Sequence, residues 1–562
     1  MIIQSLVDLY DRLFEDGDVP PYGFSIEDIG FAISINSEGQ IIGEPQDLRN
    51  KIDTNKYEFV ESIVPYTNQV NVRSGNASTT PNFMVDKADY IFGMSGSTQK
   101  KVHHQSFCDL VKDVCNSSDD PGAKAVMAFL ENWNRKDSTK LIYWKEMCGM
   151  YGKWIAFRFE NERRFIHERP KVKKMWTKYI SEFKYSEGKD LLSGQSTPIQ
   201  PQYAQFKFGS GASLVSFNEK AYESYGKTRG ENAPINVEAE FKSSTALKWL
   251  LRSKVQRLYI GDATTVFWTE NESPVEKFMG IILNPRDVSA EDNQELNSFL
   301  KAAQKGTRPK ELSFDESIKF YILGLSLNKA RLVVRFWHVC TVDQLMKRIG
   351  KHFNDLEMER QYESDLVYPG VWHLLKETAR ETKDISPLLG GALMRSILEG
   401  VNYPQNFYIG VLNRIRADQR INYLKASILK AVLKRNYKKE VPMSLDLDRR
   451  EPAYLLGRLF AVLEKAQLDA LGKVNATIKD RFFSAASATP GSVFPRLLRL
   501  SQYHIGKAEY GYISEKRIAE IMENINGFPA HLNMQDQGLF AIAYYQQKND
   551  LYKKKETNSE GE

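Results

Sequence analysis

Four cysteines in 562 residues (Cys108, Cys115, Cys148 and Cys340), none of them in a CxxC pair, are too few for a disulfide framework or a thiolate zinc site. Long apolar runs are missing too. No segment approaches the ~18 residues of a bilayer crossing. The opening MIIQSLVDLYDRLFEDGD turns acidic within about two helical turns, so a cytoplasmic protein without a membrane partner is expected. There is no GxxxxGK(S/T) phosphate loop, and Gly209 and Gly211 in KFGSGAS do not fit GxGxxG, so neither NTP hydrolysis nor dinucleotide binding is indicated. GxSxG, HExxH and H-x-E…CxxC are likewise missing, and no cofactor is expected. A metal-dependent nuclease has one attractive place, Asp262 and Glu270 flanking the strand in GDATTVFWTEN, but two acids read more simply as turn formers or salt-bridge partners. His103 and His104 read as a solvated pair, and His338 and Cys340 as core residues rather than a catalytic couple.

The net charge is only +6, so its distribution matters more than its size. From Asn161 to Lys178, NERRFIHERPKVKKMWTK carries Arg163, Arg164, Arg169, Lys171, Lys173, Lys174 and Lys178 against Glu162 and Glu168, a net +5. From Phe407 to Lys439, nine basic residues (Arg414, Arg416, Arg420, Lys425, Lys430, Lys434, Arg435, Lys438 and Lys439) face Asp418 alone, a net +8. The remainder is slightly acidic. Leu412, Ile415, Leu424, Ile428 and Val432 recur at helical spacing in the second segment, and Lys430, Lys434 and Lys438 are expected to line one exposed stripe. Such a stripe repels itself unless an anion neutralises it, and a phosphate backbone is the natural partner. A solvated basic face that only aids solubility is the competing reading for both segments.

The fold class expected is α+β: a mixed α/β N-terminal domain over residues 1–386, a C-terminal α-helical bundle over 387–550, and a disordered tail over 551–562. Leu6, Leu9, Tyr10 and Leu13 share a face of a helix over Ile2–Phe14, which ends before Pro20-Pro21. Alternation around a Ser-Glu-Gly turn predicts a hairpin over Ile26–Ile42. Asn71–Asn82, NVRSGNASTTPN, predicts an exposed, mobile loop. Strands are expected at Ala212–Phe217 and Thr264–Trp268, with a helix over Glu238–Arg252. After about Pro387 apolar spacings of three and four dominate, most clearly from Ala453 to Leu471, where Gly472 supplies the end signal.

Several strings are similar to the large-subunit family of the type I-C CRISPR Cascade: GASLVSFNEKAYESYGKTRGENAP (Gly211–Pro234), GDATTVFWTE (Gly261–Glu270), LGLSLNKARLVVRFW (Leu323–Trp337), and the long run from Leu455 to Leu500. With IIQSLVDLYDRL and the PNF at Pro81–Phe83, the resemblance covers nearly the whole chain. It implies a non-catalytic subunit of a crRNA-guided complex, in which base pairing reads the target and protein reads a short flanking motif on double-stranded DNA. Implied partners are crRNA, target DNA, the backbone, handle-binding and small subunits, and a helicase-nuclease that does the cutting. A stand-alone nucleic-acid-binding scaffold and a nuclease using Asp262 are the alternatives.

Nucleic-acid contacts are expected at several places. Arg73, Asn76 and Asn82 offer a guanidinium and carboxamides that suit groove edges. Lys207, Asn218, Lys227 and Asn232 lie on or beside short strands among small residues that admit a backbone. Lys171, Lys173 and Lys174, and Arg416, Arg420, Lys430 and Lys434, come from the two basic segments. Lys479, Arg481, Arg496, Arg499 and Lys507 form a candidate track for a displaced single strand, with structural salt bridges as the competing explanation. Met443 is a candidate internal start, which the resemblance associates with a separately made small subunit of residues 443–562.

Overall fold

A computed structural model describes residues 1–53, 56–66, 80–149, 152–206, 212–217, 219–260, 263–276, 279–280, 298, 300–305, 317–328, 331–472 and 474–553. Packing divides the chain into two units, Met1–Arg252 with Leu327–Val333, and Ser253–Ser326 with Val334–Glu562. The expected α+β class holds, with sheets toward the N-terminus and helices toward the C-terminus.

In the first unit Leu6, Leu9, Tyr10 and Leu13 are buried on one face of α1 (Ile2–Glu15), as their spacing predicts. The central strand is β1 (Phe24–Ile35), whose Ile29, Phe31, Ile33 and Ile35 are fully buried. It pairs antiparallel with β2 (Val60–Pro65). Strands β3 (Val85–Asp86) and β4 (Trp154–Phe159) and the short segment Gln46–Asp47 complete the sheet, β4 running parallel to β1 and antiparallel to β3. Asn36 Oδ1 closes a tight turn by accepting the N–H groups of Glu38 (3.1 Å) and Gln40 (2.8 Å). The chain then returns antiparallel along β1, as the hairpin expected over Ile26–Ile42 has it: Ile35 lies opposite Ile41, the Ile42 N–H donates to the Ser34 carbonyl at 2.8 Å, and Gln46–Asp47 pairs with Phe31 and Ala32. The parallel neighbour β4 comes from distant sequence, which local alternation does not announce.

Helices α2 (Lys101–Cys115), α3 (Pro121–Asn132) and α4 (Pro170–Ser181) contribute to the core around Phe31, Phe107, Phe129, Phe157 and Trp176. Asp120 starts α3 by accepting the Ala123 N–H at 3.1 Å, with Pro121 in the first turn. Gly23, at φ +85°, lies so close to Ile180 that a Cβ there would collide with it, and its carbonyl accepts the Trp176 indole N–H at 2.7 Å. His104 is buried rather than solvated, its Nδ1 2.9 Å from the Tyr90 carbonyl. Helix α5 (Val237–Arg252) pairs with α1.

The second unit opens with an antiparallel sheet of β5 (Arg257–Ile260), β6 (Ala263–Thr269), β7 (Lys319–Asn328) and β8 (Arg331–Thr341), in the order β5-β6-β7-β8. Helices α6 (Val342–Leu356), α7 (Val371–Lys376), α8 (Pro387–Glu399), α9 (Gln405–Asp418) and α10 (Tyr423–Tyr437) follow. The C-terminal bundle is α11 (Pro452–Leu471), α12 (Ile478–Ala488), α13 (Pro490–Lys507), α14 (Gly511–Met522) and α15 (Met534–Tyr552). Helix α11 packs against all four of the others and ends at Gly472, as expected. A side chain at Gly457 would collide with the Phe540 carbonyl, so glycine there lets α11 and α15 approach closely.

One hydrophobic core runs from Leu258 through Phe267 and Phe320 to Tyr545. The domain break placed at residue 387 falls inside it. The pattern does turn helical there, but α8 packs on α6, α7 and β5, so sheet and helices share one interior. Residues 554–562 of the expected tail lie outside the described set, and α15 continues to Tyr552. Among the described residues no helix is long and apolar enough to cross a membrane.

His167 gives the first unit a pH-dependent stability. It is buried, with Nε2 2.9 Å from Ser62 Oγ, and that hydroxyl donates to Glu168 Oε1 at 2.8 Å. A hydroxyl has one proton, so His167 must donate from Nε2, and its buried Nδ1 has no partner among the described residues to receive a second proton's hydrogen bond. Burial, aided by the charge of Lys173, lowers its pKa from 6.5 to about 3. Between those values the unfolded chain binds a proton that the native state refuses, so stability falls as pH drops below 6.5. Thermal unfolding of the wild type should lose up to about 1.4 kcal/mol per pH unit relative to His167→Gln between pH 6 and 4.5. Parallel profiles for the two proteins would refute this.

Candidate nucleic-acid interface

The first basic segment is partly a surface and partly a set of structural ties. Pro170 opens α4, whose Val172, Trp176 and Ile180 face the core, so Lys171, Lys174 and Lys178 lie on the exposed side. Trp176 stacks on Phe83 with centroids 5.4 Å apart. Arg169 bridges Asp120 (3.0 Å) and Glu162 (2.7 Å), and Lys171 meets Asp119 at 2.6 Å. Lys173 is half-buried. Arg163, Arg164, Lys174 and Lys178 are exposed without an ion-pair partner among the described residues.

Lys425, Lys430 and Arg435 of the second basic segment are buried, which breaks the expected exposed stripe at Lys430, while Arg420 and Lys438 are exposed. Helix α10 is buried from Ala426 through Leu433 on every side. Lys430 is 3% exposed, and its ammonium donates to the Glu357 carbonyl at the C-terminal end of α6, where the helix dipole is negative. Burial, reinforced by the charge of Lys434, lowers its pKa to about 8. Lys434 lies 3.8 Å from Asp355, and Lys438 donates to the Arg435 carbonyl at 2.8 Å. Arg435 is buried: its Nε donates to Asp355 at 2.7 Å, another nitrogen donates to the Ser396 carbonyl at 2.8 Å, and its guanidinium lies 4.1 Å from the Tyr403 ring centroid. Lys425 and Arg414 share Asp418, Lys439 meets Asp536, and Arg416 donates to Asn413 and Gln537. Of the nine cations only Arg420 has a side chain with neither a side-chain nor a backbone partner among the described residues. Four-residue spacing puts lysines in a row but does not say whether the row meets water or a helix end.

The remaining expected contacts divide similarly. Arg73, Asn76, Lys207 and Asn218, and the nuclease candidate Asp262, lie outside the described residues. Asn82 is not on an exposed loop: it is 1% exposed, its N–H donates to Asp86 at 2.8 Å, and its carboxamide finds no hydrogen-bond partner among the described residues. It is not placed to read a groove edge. Asn232 is spent on its own loop, accepting from the Ser224 N–H (3.2 Å) and donating to the Lys227 and Arg229 carbonyls (3.1 Å each). Lys227 itself is exposed. Glu270 pairs with Lys319 at 2.8 Å, and no group of three metal-ligating side chains occurs among the described residues.

The C-terminal bundle carries the clearest cluster of exposed cations without ion-pair partners among the described residues. Helix α13 contains no Asp or Glu. Its Val493, Phe494, Leu497, Ser501 and His504 face inward, which leaves Arg496, Arg499, Leu500, Tyr503 and Lys507 on one outward strip. Arg496 lies 5.4 Å from the Phe482 ring centroid, and Arg481, Arg496, Arg499 and Lys507 have no ion-pair partner among the described residues, contrary to the salt-bridge explanation. Lys479 is half-buried beside Asp480, whose carboxylate caps α12 through Thr477. Sequence reading missed the tyrosines: Tyr503 on this strip is 64% exposed, and Tyr510 and Tyr512 at the turn into α14 are 61% and 65% exposed. The signal was present in a helix with three cations, no acid and an aromatic one turn from Arg499 and Lys507.

The family model described as CRISPR-associated protein (Cas_Csd1) matches residues 6–552. No curated protein matches the chain.

Two variants separate buried from available charge. Arg435→Ala leaves the buried Asp355 with only Lys434, at 3.8 Å, and should destabilise the second unit in denaturant unfolding by up to about 3–5 kcal/mol. Lys430→Met with Lys434→Met should leave affinity for single-stranded DNA, and its salt dependence, unchanged. A clear loss in filter binding by a folded double variant would put α10 back on the surface.

Proposed function

The chain belongs to the Cas_Csd1 family of CRISPR-associated proteins, and from that membership we propose that it is the non-catalytic large subunit of a type I-C CRISPR Cascade. In this reading crRNA base pairing identifies the target, while the subunit reads the flanking motif on duplex DNA, holds the opened strands and helps recruit the helicase-nuclease. Arg73 and Asn76 are the residues proposed to probe the flanking motif. Unchanged discrimination between good and bad motifs after Arg73→Ala and Asn76→Ala would remove them. The exposed side of α4 suits the phosphates of the crRNA handle.

The observation that carries the reading is the outward strip of α13. Cations with no acid on the same helix neutralise phosphate without reading sequence, which is what a displaced strand of arbitrary sequence requires. Arg496→Ala, Arg499→Ala and Lys507→Ala together should weaken R-loop formation by the assembled complex. Three lost phosphate contacts should lower the slope of log affinity against log salt by about 2. Retained affinity with an unchanged slope in a gel-shift titration would refute the strip's role. Equal target binding by guide-loaded complexes assembled without this chain would refute the subunit assignment.

Residues 443–562 are also proposed as a separately translated small subunit. Helices α12 to α15 surround α11, so most of that core lies inside the fragment. A short product from a C-terminally tagged gene, lost on Met443→Leu, is expected; its absence from the wild-type gene would end the proposal.

A further inference from the structure

The loop after residue 218 carries a feature that backbone tracking does not explain. Tyr225 is 98% exposed. It occupies the first central position of a two-residue turn closed by the Lys227 N–H donating to the Ser224 carbonyl at 3.0 Å, and it sits at φ +53° with Gly226 following at φ +70°. Glycine and asparagine adopt such a turn readily, whereas a tyrosine adopts it at a cost. A solubilising tip would use a small polar residue here.

The turn is also braced. Asn232 reaches across the loop to the Ser224 N–H and to the Lys227 and Arg229 carbonyls. Thr228 and Glu231 form a reciprocal cap, with the Thr228 N–H donating to Glu231 at 2.9 Å. At the root, the Arg331 guanidinium lies 4.2 Å from the Tyr222 ring centroid, and Arg331 pairs with Ser213 of a short strand. Such bracing fixes the backbone from which a fully solvated ring projects. From Ser224 to Gly230 the only charges are Lys227 and Arg229, both exposed and without an ion-pair partner among the described residues.

We infer that Ser224–Gly230 is a braced finger whose Tyr225 ring stacks on the face of an unpaired nucleobase, with Lys227 and Arg229 on the adjoining phosphates. A planar π-surface flanked by cations with no acid between them is complementary to a base and its phosphates. The inference rests on the nucleic-acid reading above and adds to it a second, separate contact made by stacking.

The test is fluorescence quenching and affinity of a single-stranded oligodeoxynucleotide carrying 2-aminopurine, with the full-length chain alone and in its guide-loaded assembly. Tyr225→Ala should weaken binding about tenfold and relieve quenching, and Tyr225→Phe should stay within about twofold of wild type. Tyr225→Gly suits the left-handed turn, so it should fold at least as well as wild type yet bind as poorly as the alanine variant. Wild-type binding that all three variants match, with quenching intact, overturns the finger and leaves the α13 strip standing. Failure of the wild type to bind in either form overturns both readings. Loss of partner-subunit assembly in Tyr225→Ala, with oligonucleotide affinity unchanged, makes the finger a protein anchor and overturns the inference.

Discussion

A cation taken out of water must be met by an anion or by oriented carbonyls, and this requirement organises the second unit. Arg435 is the clearest case. Its guanidinium sits among Asp355, the Ser396 carbonyl and the Tyr403 ring, groups from α6, α8 and the segment leading into α9, so one side chain fixes how α10 meets its neighbours. Lys430 adds the C-terminal end of α6 to the same arrangement. A buried pair of this kind is a poor source of net stability compared with an apolar replacement of the same shape. Its strength is directional: an alternative register of α10 would strand Asp355 or Arg435 without a partner.

The same requirement separates structural cations from available ones. Where the fold consumes a cation, the cation is already neutral to anything outside; where it consumes none, the charge is available. Helix α10 is highly basic in sequence and has little charge to offer, whereas α13 carries fewer cations and offers Arg496, Arg499 and Lys507. The bundle beneath makes α13 a firm platform. Val493, Phe494 and Leu497 belong to the same core as α11, and Gly457 lets α15 close on the far side of that helix. Firmness matters because long side chains on a fixed helix present phosphate-binding charges at set intervals of about one turn.

What the sequence disclosed follows the range of the forces involved. Helices α1, α5 and α11 were legible because an amphipathic stripe and a terminal glycine are local signals, read correctly at Leu6, Leu9, Leu13 and Gly472. The turn after β1 was legible too, but the strand's parallel partner was not, because a neighbour at Trp154–Phe159 is fixed by burial across more than a hundred residues. Nor was the shared core across residue 387, since the change of periodicity there is real and the packing ignores it. At the candidate interface, composition pointed to Arg496 and Arg499, which are exposed and without ion-pair partners among the described residues, while the expected exposure of Lys430, Lys434 and Asn82 fails. Each of those three depends on what a distant element brings to it: the end of α6, Asp355, or the walls around Phe83.

Tyr225 and Tyr503 show why exposure has to be weighed with its support. A tyrosine on a helix surface costs the fold little, so Tyr503 alone would say nothing, and its meaning comes from Arg499 and Lys507 one turn to either side. Tyr225 is different, because its backbone conformation is unfavourable and Asn232 is committed to preserving it. A residue that strains its turn without packing against anything contributes nothing to stability, so the return must come from a contact made outside the chain. The proposed roles of the braced loop and the helix strip thus rest on different physics: directed stacking on a base at one, and diffuse neutralisation of phosphates at the other.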